Sequence, residues 1–526
     1  MRSLRDLFWI LPTSIGLGLV LSLFGPGIWW IGWLAYSILL VLGLLAASAL
    51  WRSAGSQRAL GWMLLVSLVL RIGLGIFFSY VLPIYGNDND VHHGGYIYRD
   101  AYTYDTQAWG LAASGDPLWK SFDRSYGIDD QYGGLTFTLS LTYRLLSPDA
   151  HRPWLTLLLS ALIAALGVAL AWKGARRAWG EGVAMVLGWI MALYPESLFS
   201  GGSQIREPFL LLFIAMLFWV AATWQGNRQR SAWVWLTGGT LGLFLFSPGV
   251  AVAALVVMGI WVWLARKEIH VRWWWVAGVA AVIVLAGYLF SEIVAGTLQV
   301  QGGTLANLVN WLKITMNFGA YVTTESSGWL QAIFGVLPKS LHLPFIVAYG
   351  VAQPVLPAAI ADPGVWPVRV IGILRGLGWY ALLPFLLYSL RPIWKTTDQR
   401  TRMAWMWLWI AVWFWIILAS ARAGGDQWDN PRYRVILLMF QAALAAYSLL
   451  WARQMHDRWL GRSLAVEGVF LLLFGYWYFS RYANIGLRVI NIFIIFAVIA
   501  IISLAILIGG WLRDKYSHRR AIKSGK

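Results

Sequence analysis

Long apolar runs recur along almost the whole of this 526-residue chain, and they leave little choice of fold. A bilayer span needs about 20 mostly apolar residues. Fourteen runs approach that length: 8–24, 28–50, 61–82, 154–172, 182–197, 208–224, 232–247, 249–265, 273–291, 369–390, 403–421, 435–452, 464–480 and 485–512. Backbone in hydrocarbon has no water to bond, so such runs must be helices that pair their amides and carbonyls internally. The expected fold is an all-α polytopic membrane protein with about 14 transmembrane helices. Only 12% of residues are charged, against about 25% in a soluble domain, which removes a string of water-soluble domains as the alternative. The run from Trp233 to Ala265 is divided at Ser247-Pro248-Gly249, where the sequence carries turn chemistry.

Charge sets the orientation. Short loops rich in Lys and Arg stay on the cytoplasmic side. With the N-terminus inside, the inner segments are 1–7, 51–60, 173–181, 225–231, 266–272, 391–402, 453–463 and 513–526. They carry 25 of the 41 Lys and Arg but 6 of the 23 acids. The large outer loop 83–153 reverses this, with nine acids and five bases. Both termini are therefore expected in the cytoplasm, with the basic tail 513–526 against anionic headgroups. The scheme requires that 133–146 does not span; it reads as a helix lying on or dipping into the outer face. The net charge of +18 is thus a topology signal, and nucleic acid is not an expected partner.

The basic start Met1–Phe8 has the look of a signal peptide. No small-residue cleavage pattern follows, and Trp9–Leu23 reads as a retained helix. There is no cysteine, which excludes disulfides and a thiol nucleophile. Many of the 36 Trp stand near span ends (Trp29, Trp30, Trp219, Trp224, Trp273–Trp275, Trp477) and read as an interfacial belt. Trp109 and Trp119, in the outer loop, are alternatives for stacking on a sugar.

Polar chemistry gathers on the outer side. Loop 83–153 holds Asn87-Asp88-Asn89-Asp90, His92-His93 and the stretch Arg99 to Leu111. Tyr104, Ala108 and Leu111 follow at helical spacing, and Asp100 stands where a carboxylate suits a helix start. Asn87–Asp90 reads most simply as Asx turns, and His92-His93 as metal ligands lacks a second cluster. The short loop 196–207 places Glu196, Arg206 and Glu207 at the mouth of two spans, where charge is costly unless paired or wet. The loop 422–434 ends in Arg432-Tyr433-Arg434; an arginine fork suits a phosphate, and snorkelling to headgroups is the plainer alternative. Arg375 could also face a phosphate. Arg71, inside a span, is either a bundle contact or a snorkelling residue. The insertion 291–368, with Glu325, Lys339 and His342, carries no assignable chemistry.

At these residues the chain resembles the GT-C superfamily of integral membrane glycosyltransferases, such as protein O-mannosyltransferases and the aminoarabinose transferase of lipid A. Asp100, Tyr104, Ala108 and Leu111 look like the family's first-loop motif, Glu207 falls at its second acidic position, and Arg432-Tyr433-Arg434 is similar to its late arginine element. The match runs loosely over 61–450, after two additional N-terminal helices in 1–60 and before C-terminal helices in 451–512 and the tail 513–526. The usual Asp-Glu pair is Asp100-Ala101 here, so a second carboxylate must come from Asp105 or elsewhere. The resemblance implies a GT-C-like bundle with extracytoplasmic amphipathic helices, in the plasma (inner) membrane of the cell envelope. It implies transfer from a polyprenyl-phosphate-linked sugar donor to a lipid, glycan or protein acceptor. Asp100 would be the general base, with Glu207 and Asp105 beside it. Arg432, Arg434, Tyr433, Tyr104, Arg206 and Arg375 would meet the substrate, and Asp100 with Glu207 would hold a divalent cation such as magnesium or manganese.

The bland alternatives are specific. Asp100 would be only an N-cap, Asp105 a solvated helix-face charge, and Glu207 a partner of Arg206. A lipid-linked glycan polymerase or ligase would share the many spans and outer arginines. A transporter or flippase would need charges near mid-membrane and broken helices, whereas the apolar runs hold few charges, chiefly Arg71, Arg375, Glu467 and Arg488. A degenerate homologue acting as a scaffold is the third alternative. If the site is real, Asp100, Glu207 and Arg432 must converge.

Overall fold

Helices make up every regular element among the described residues, as the apolar runs require. The computed structural model describes residues 2–223, 230–265, 328–482 and 489–523, with isolated positions between 284 and 314. Most of the run 273–291 lies outside the described residues, as do Trp224, Trp273–Trp275, Glu325, Arg488, the inner segments 225–229 and 266–272, and the last three residues of the tail.

Of the fourteen expected spans, eight appear as single helices long and apolar enough to cross a membrane. Two more, Glu181–Leu193 with Pro195–Gly201 and Asp429–Val435 with Leu438–Gln454, pass only as bent pairs, with bends of 56° and 72°. Three are shorter apolar helices: Phe8–Leu23, Glu207–Thr223 and Ala232–Phe246.

The chain divides into two compact units: Met1–Asn317 with Arg432–Ala443, and Phe318–Pro431 with Leu444–Lys526. In the first, α1 (Arg2–Leu23) and α2 (Trp29–Ser53) form a hairpin, followed by α3 (Arg58–Tyr85). The loop 83–153 then folds into α4 (Asp90–His93), α5 (Arg99–Ala113) and α6 (Gly134–Leu146). After these come α7 (Pro153–Trp179), α8 (Glu181–Leu193), α9 (Pro195–Gly201), α10 (Glu207–Thr223), α11 (Arg230–Phe246) and α12 (Pro248–Ala265). Helix α7 is buried along most of its length and is rich in Ala and Gly. Small residues let helices approach closely: a Cβ on Gly167 would stand 3.4 Å from the Leu212 Cα of α10.

Helix α6 has 13 residues, about 20 Å at 1.5 Å per residue, and is too short to span. The orientation scheme needed this of 133–146. Its buried Leu135, Leu139 and Tyr143 form one stripe. The hairpin turn before α2 is tied to the start of α7: Asp149 accepts from the Ile28 amide at 2.8 Å, and Arg152 donates to the Ile28 carbonyl at 2.9 Å and to Asp149 at 2.6 Å.

Residues 182–197, expected as one run, break instead. Pro195 disfavours helical backbone at Tyr194, which is extended (φ −61°, ψ 120°). The carbonyls left open at the end of α8 are met by Arg71 of α3. Its Nη2 donates to the Met191 carbonyl at 3.0 Å and to Ser197 Oγ at 2.7 Å; its Nη1 donates to the Ser67 carbonyl at 3.1 Å and to Ser67 Oγ. Arg71 is 1% exposed, so it is a bundle contact and not a snorkelling residue.

In the second unit, Gly328–Val336, Lys339–Ala352 and Leu356–Ile360 occupy part of the insertion 291–368. A core of Leu330, Ile333, Val355, Phe474, Trp477 and Ile495 joins them to the C-terminal helices.

Candidate functional site

Asp100 lies in the first turn of α5, and Glu207 opens α10. A carboxylate is favoured at both places by the positive end of the helix dipole. Arg432 lies in the last turn of the helix Asp429–Val435, where the same dipole favours a cation. These three meet, from positions 332 and 225 residues apart in sequence. Arg432 Nη2 donates to Asp100 Oδ2 at 2.9 Å and to Glu207 Oε1 at 3.1 Å, and Nε approaches the same Glu207 oxygen at 3.3 Å. The side chains of Glu207 and Arg432 are 1% and 4% exposed, while Asp100 is 42% exposed. The pair of buried charges is thus compensated, and the accessible member is Asp100. Its Oδ2 is held by Arg432, and Oδ1 accepts no hydrogen bond among the described residues.

Asp100 is not the cap of α5. The cap position is Tyr98, with no side-chain cap bond. Glu207 pairs with Arg432 rather than Arg206, and Arg432 is buried against acids rather than snorkelling. Arg434 is 2% exposed, likewise not snorkelling.

Arg206, half-buried, stands beside this cluster, and its side chain makes no hydrogen bond or ion pair among the described residues. Its guanidinium rests 5.5 Å over the Tyr132 ring. Glu207, Tyr104, Tyr132 and Tyr433 are within electrostatic reach of it. Tyr104 faces the same place: burial, and then the Asp100 carboxylate, push its hydroxyl above the usual phenol range, so it remains a donor at physiological pH. Arg375, in the second unit, donates to the Trp428 carbonyl at 2.7 Å and lies 5.1 Å over its ring.

Asp105 has a different setting. It is five residues past Asp100, about 140° around the helix, and fully buried. It accepts from the hydroxyls of Tyr96, Tyr143 and Thr156, each at 2.7 Å, and His151 Nε2 lies at 2.8 Å. Burial and the nearby Asp105 carboxylate hold both tyrosine hydroxyls well above their usual range, which keeps them as donors. Asp105 is therefore not a solvated charge; it ties α5 to α6 and α7. The buried stripe of α5 is Ala101, Asp105, Ala108 and Leu111, with Tyr104 displaced toward the cluster.

Residues outside the sequence motifs complete the surroundings. Tyr98 lies 5.1 Å beneath Arg432 and donates to Glu196 at 3.2 Å. Tyr132 is presented by the turn Asp130-Gln-Tyr-Gly133, where Asp130 accepts from the Thr136 amide at 3.0 Å. Gly133 has φ +74°, and a Cβ there would strike the Ser121 carbonyl; the glycine was the signal that this turn is tight. Asn89 caps α4 by accepting from the His92 amide at 2.9 Å, and His92 Nδ1 accepts from the Asn87 amide at 2.7 Å, so this loop makes Asx geometry. Trp109 stacks on His151 at 5.7 Å, whereas Trp119 is 71% exposed. A cavity of about 200 Å³ in the first unit, walled by Tyr36, Tyr80, Tyr96 and Trp154, contains none of Asp100, Glu207 or Arg432.

No family model and no curated protein matches the chain. Among solved structures it is similar to the archaeal oligosaccharyltransferase AglB from Archaeoglobus fulgidus, in complex with an inhibitory peptide and a dolichol-phosphate. The likeness has 14% identity and a TM-score of 0.39 over 87% of this chain. The chain spans 55% of that protein's length. A likeness this weak assigns neither family nor activity, so the functional reading rests on the residues themselves.

Proposed function

We propose that this protein is a membrane glycosyltransferase that moves a sugar from a polyprenyl-phosphate carrier to an acceptor hydroxyl on the extracytoplasmic face of the plasma (inner) membrane. The observation that carries the reading is the convergence of Asp100, Glu207 and Arg432, with an arginine free of ion pairs, Arg206, beside them.

Each part has a chemical task. The acceptor, a lipid, glycan or protein, attacks the anomeric carbon of the donor sugar. The bond from that carbon to the phosphate oxygen breaks, and its electron pair leaves with the phosphate. The acceptor proton passes to Asp100, whose second oxygen is open and whose first is fixed by Arg432. A positioned base of this kind contributes roughly 100- to 10,000-fold. The departing phosphate gains charge, and Arg206 is a guanidinium beside the cluster with no carboxylate partner among the described residues; aligned donors at such a place are a major source of rate. Tyr104 adds a hydroxyl donor. Arg432 and Glu207 fix the base rather than touch the phosphate.

The bent pairs are the feature a transporter would share. The break at Tyr194-Pro195 is closed by Arg71, whose donors occupy the Met191 carbonyl and Ser197 hydroxyl, oxygens that an ion would use. That favours a fixed scaffold. A polymerase or ligase would use the same donor class and differ in product length.

The test is reconstitution in liposomes with a radiolabelled polyprenyl-phosphate sugar. Asp100→Asn is expected to lower transfer at least about 100-fold while the protein remains folded. Transfer at the wild-type rate would reject Asp100 as the base.

A further inference from the structure

Converging carboxylates commonly make a site for a divalent cation, and the resemblance implies one at Asp100 and Glu207. The residues do not fit it. Arg432 Nη2 lies 2.9 Å from Asp100 Oδ2 and 3.1 Å from Glu207 Oε1, between the two oxygens an ion would bridge. Oxygen ligands of magnesium stand at about 2.0–2.1 Å, so an ion could enter only by displacing the guanidinium. The oxygens left open are Asp100 Oδ1 and Glu207 Oε2, the second buried without a hydrogen-bond partner. One open oxygen from each carboxylate, with a guanidinium fixed against the other two, leaves too few ligands for a cation unless Arg432 moves. No group of three His, Cys, Asp or Glu side chains suited to a metal occurs among the described residues.

We propose that Arg432 is the resident cation of the Asp100–Glu207 pair, and that truncating it converts the same place into a manganese site. The charges make the case. Two carboxylates face Arg432, and Arg206 is within electrostatic reach of Glu207. The cluster is near neutrality, and a divalent ion added to it would meet two fixed guanidiniums. Without Arg432 the balance turns negative. Glu207 is then a buried carboxylate lacking its compensating charge, a strongly unfavourable state. Its two oxygens and those of Asp100 are hard donors of the kind manganese and magnesium take, with water completing the shell. Arg432 is itself held from below by the Tyr98 ring at 5.1 Å, so a cation belongs here by construction. This goes beyond the reading as a transferase and does not depend on it, because the test reads metal binding.

The experiment is a manganese titration of the purified full-length protein, followed by electron paramagnetic resonance. Wild type and Arg432→Lys, which keep a fixed cation, are expected to bind no manganese at this place below millimolar concentration. Arg432→Ala is expected to gain one ion at least tenfold more tightly, with a rise in melting temperature on adding it. Adding Glu207→Gln to Arg432→Ala should abolish both effects. Stoichiometric binding to wild type that Glu207→Gln removes would overturn the proposal, and so would a folded Arg432→Ala that binds no better than wild type. Should Arg432→Ala fail to fold, the wild-type and Arg432→Lys titrations still decide: Glu207-dependent binding overturns the proposal, and its absence supports it.

Discussion

Arg432 and Arg206 look alike in sequence and differ in what their donors touch. Arg432 spends its fork on Asp100 and Glu207, while Arg206 lies over Tyr132 with its donors uncommitted among the described residues. If Arg206 meets the donor phosphate, Arg206→Ala removes a charge-assisted contact worth about 1.5–3 kcal/mol, or roughly 10- to 150-fold in kcat/KM. Arg206→Lys should recover only part of this, because an ammonium lacks the planar fork. Steady-state transfer assays with varied donor check it; an unchanged kcat/KM in Arg206→Ala would remove the residue from the site. Glu207 and Arg432 stood out in the sequence as charges beside apolar runs, and Asp100 as a carboxylate at a helix start in the acidic loop 83–153. Their pairing was not. Which arginine reaches which acid depends on contacts across more than 200 residues, and no local pattern encodes that. The buried setting of Asp105 was hidden for the same reason: its partners Tyr143, His151 and Thr156 come from later elements.

Among the elements, the amphipathic outer helices were the easiest to read, since polar loops with helical spacing have few other solutions. The break between α8 and α9 was harder. Pro195 marks a boundary, but only a partner for the exposed carbonyls makes a broken helix tolerable in a membrane protein. Arg71 is that partner, from a helix more than 100 residues earlier. A guanidinium at the C-terminal end of α8 also suits its dipole. Arg71→Leu leaves the Met191 carbonyl and Ser197 hydroxyl without this donor in a buried place, and is expected to lower stability by about 2–4 kcal/mol. Arg71→Lys, able to meet fewer of these groups, should fall between. Thermal unfolding in detergent measures both. Because α9 carries Glu196 and leads to Arg206, transfer should fall in Arg71→Leu even below its melting temperature, and equal stability of all three proteins would contradict the clamp.

For the molecule as a whole, orientation rests on charge asymmetry, which the sequence carries in full. Lys and Arg concentrate in the expected inner segments, 25 of 41, while the loop that holds Asp100 is acidic. A chain inserts with such segments on the cytoplasmic side, so the rule that predicts Thr397 inside predicts Asp100 and its neighbours outside. The absence of cysteine makes this directly measurable, since one introduced thiol is then the sole target of a maleimide. Ser125 is exposed in the acidic loop, and Thr397 and Glu181 are exposed in inner segments. In intact cells or spheroplasts, Ser125→Cys is expected to react with a membrane-impermeant maleimide, while Thr397→Cys and Glu181→Cys react only after permeabilisation. Labelling of Thr397→Cys from outside would invert the molecule and place the Asp100 cluster in the cytoplasm, where a nucleotide sugar would replace the lipid-linked donor as the natural substrate class.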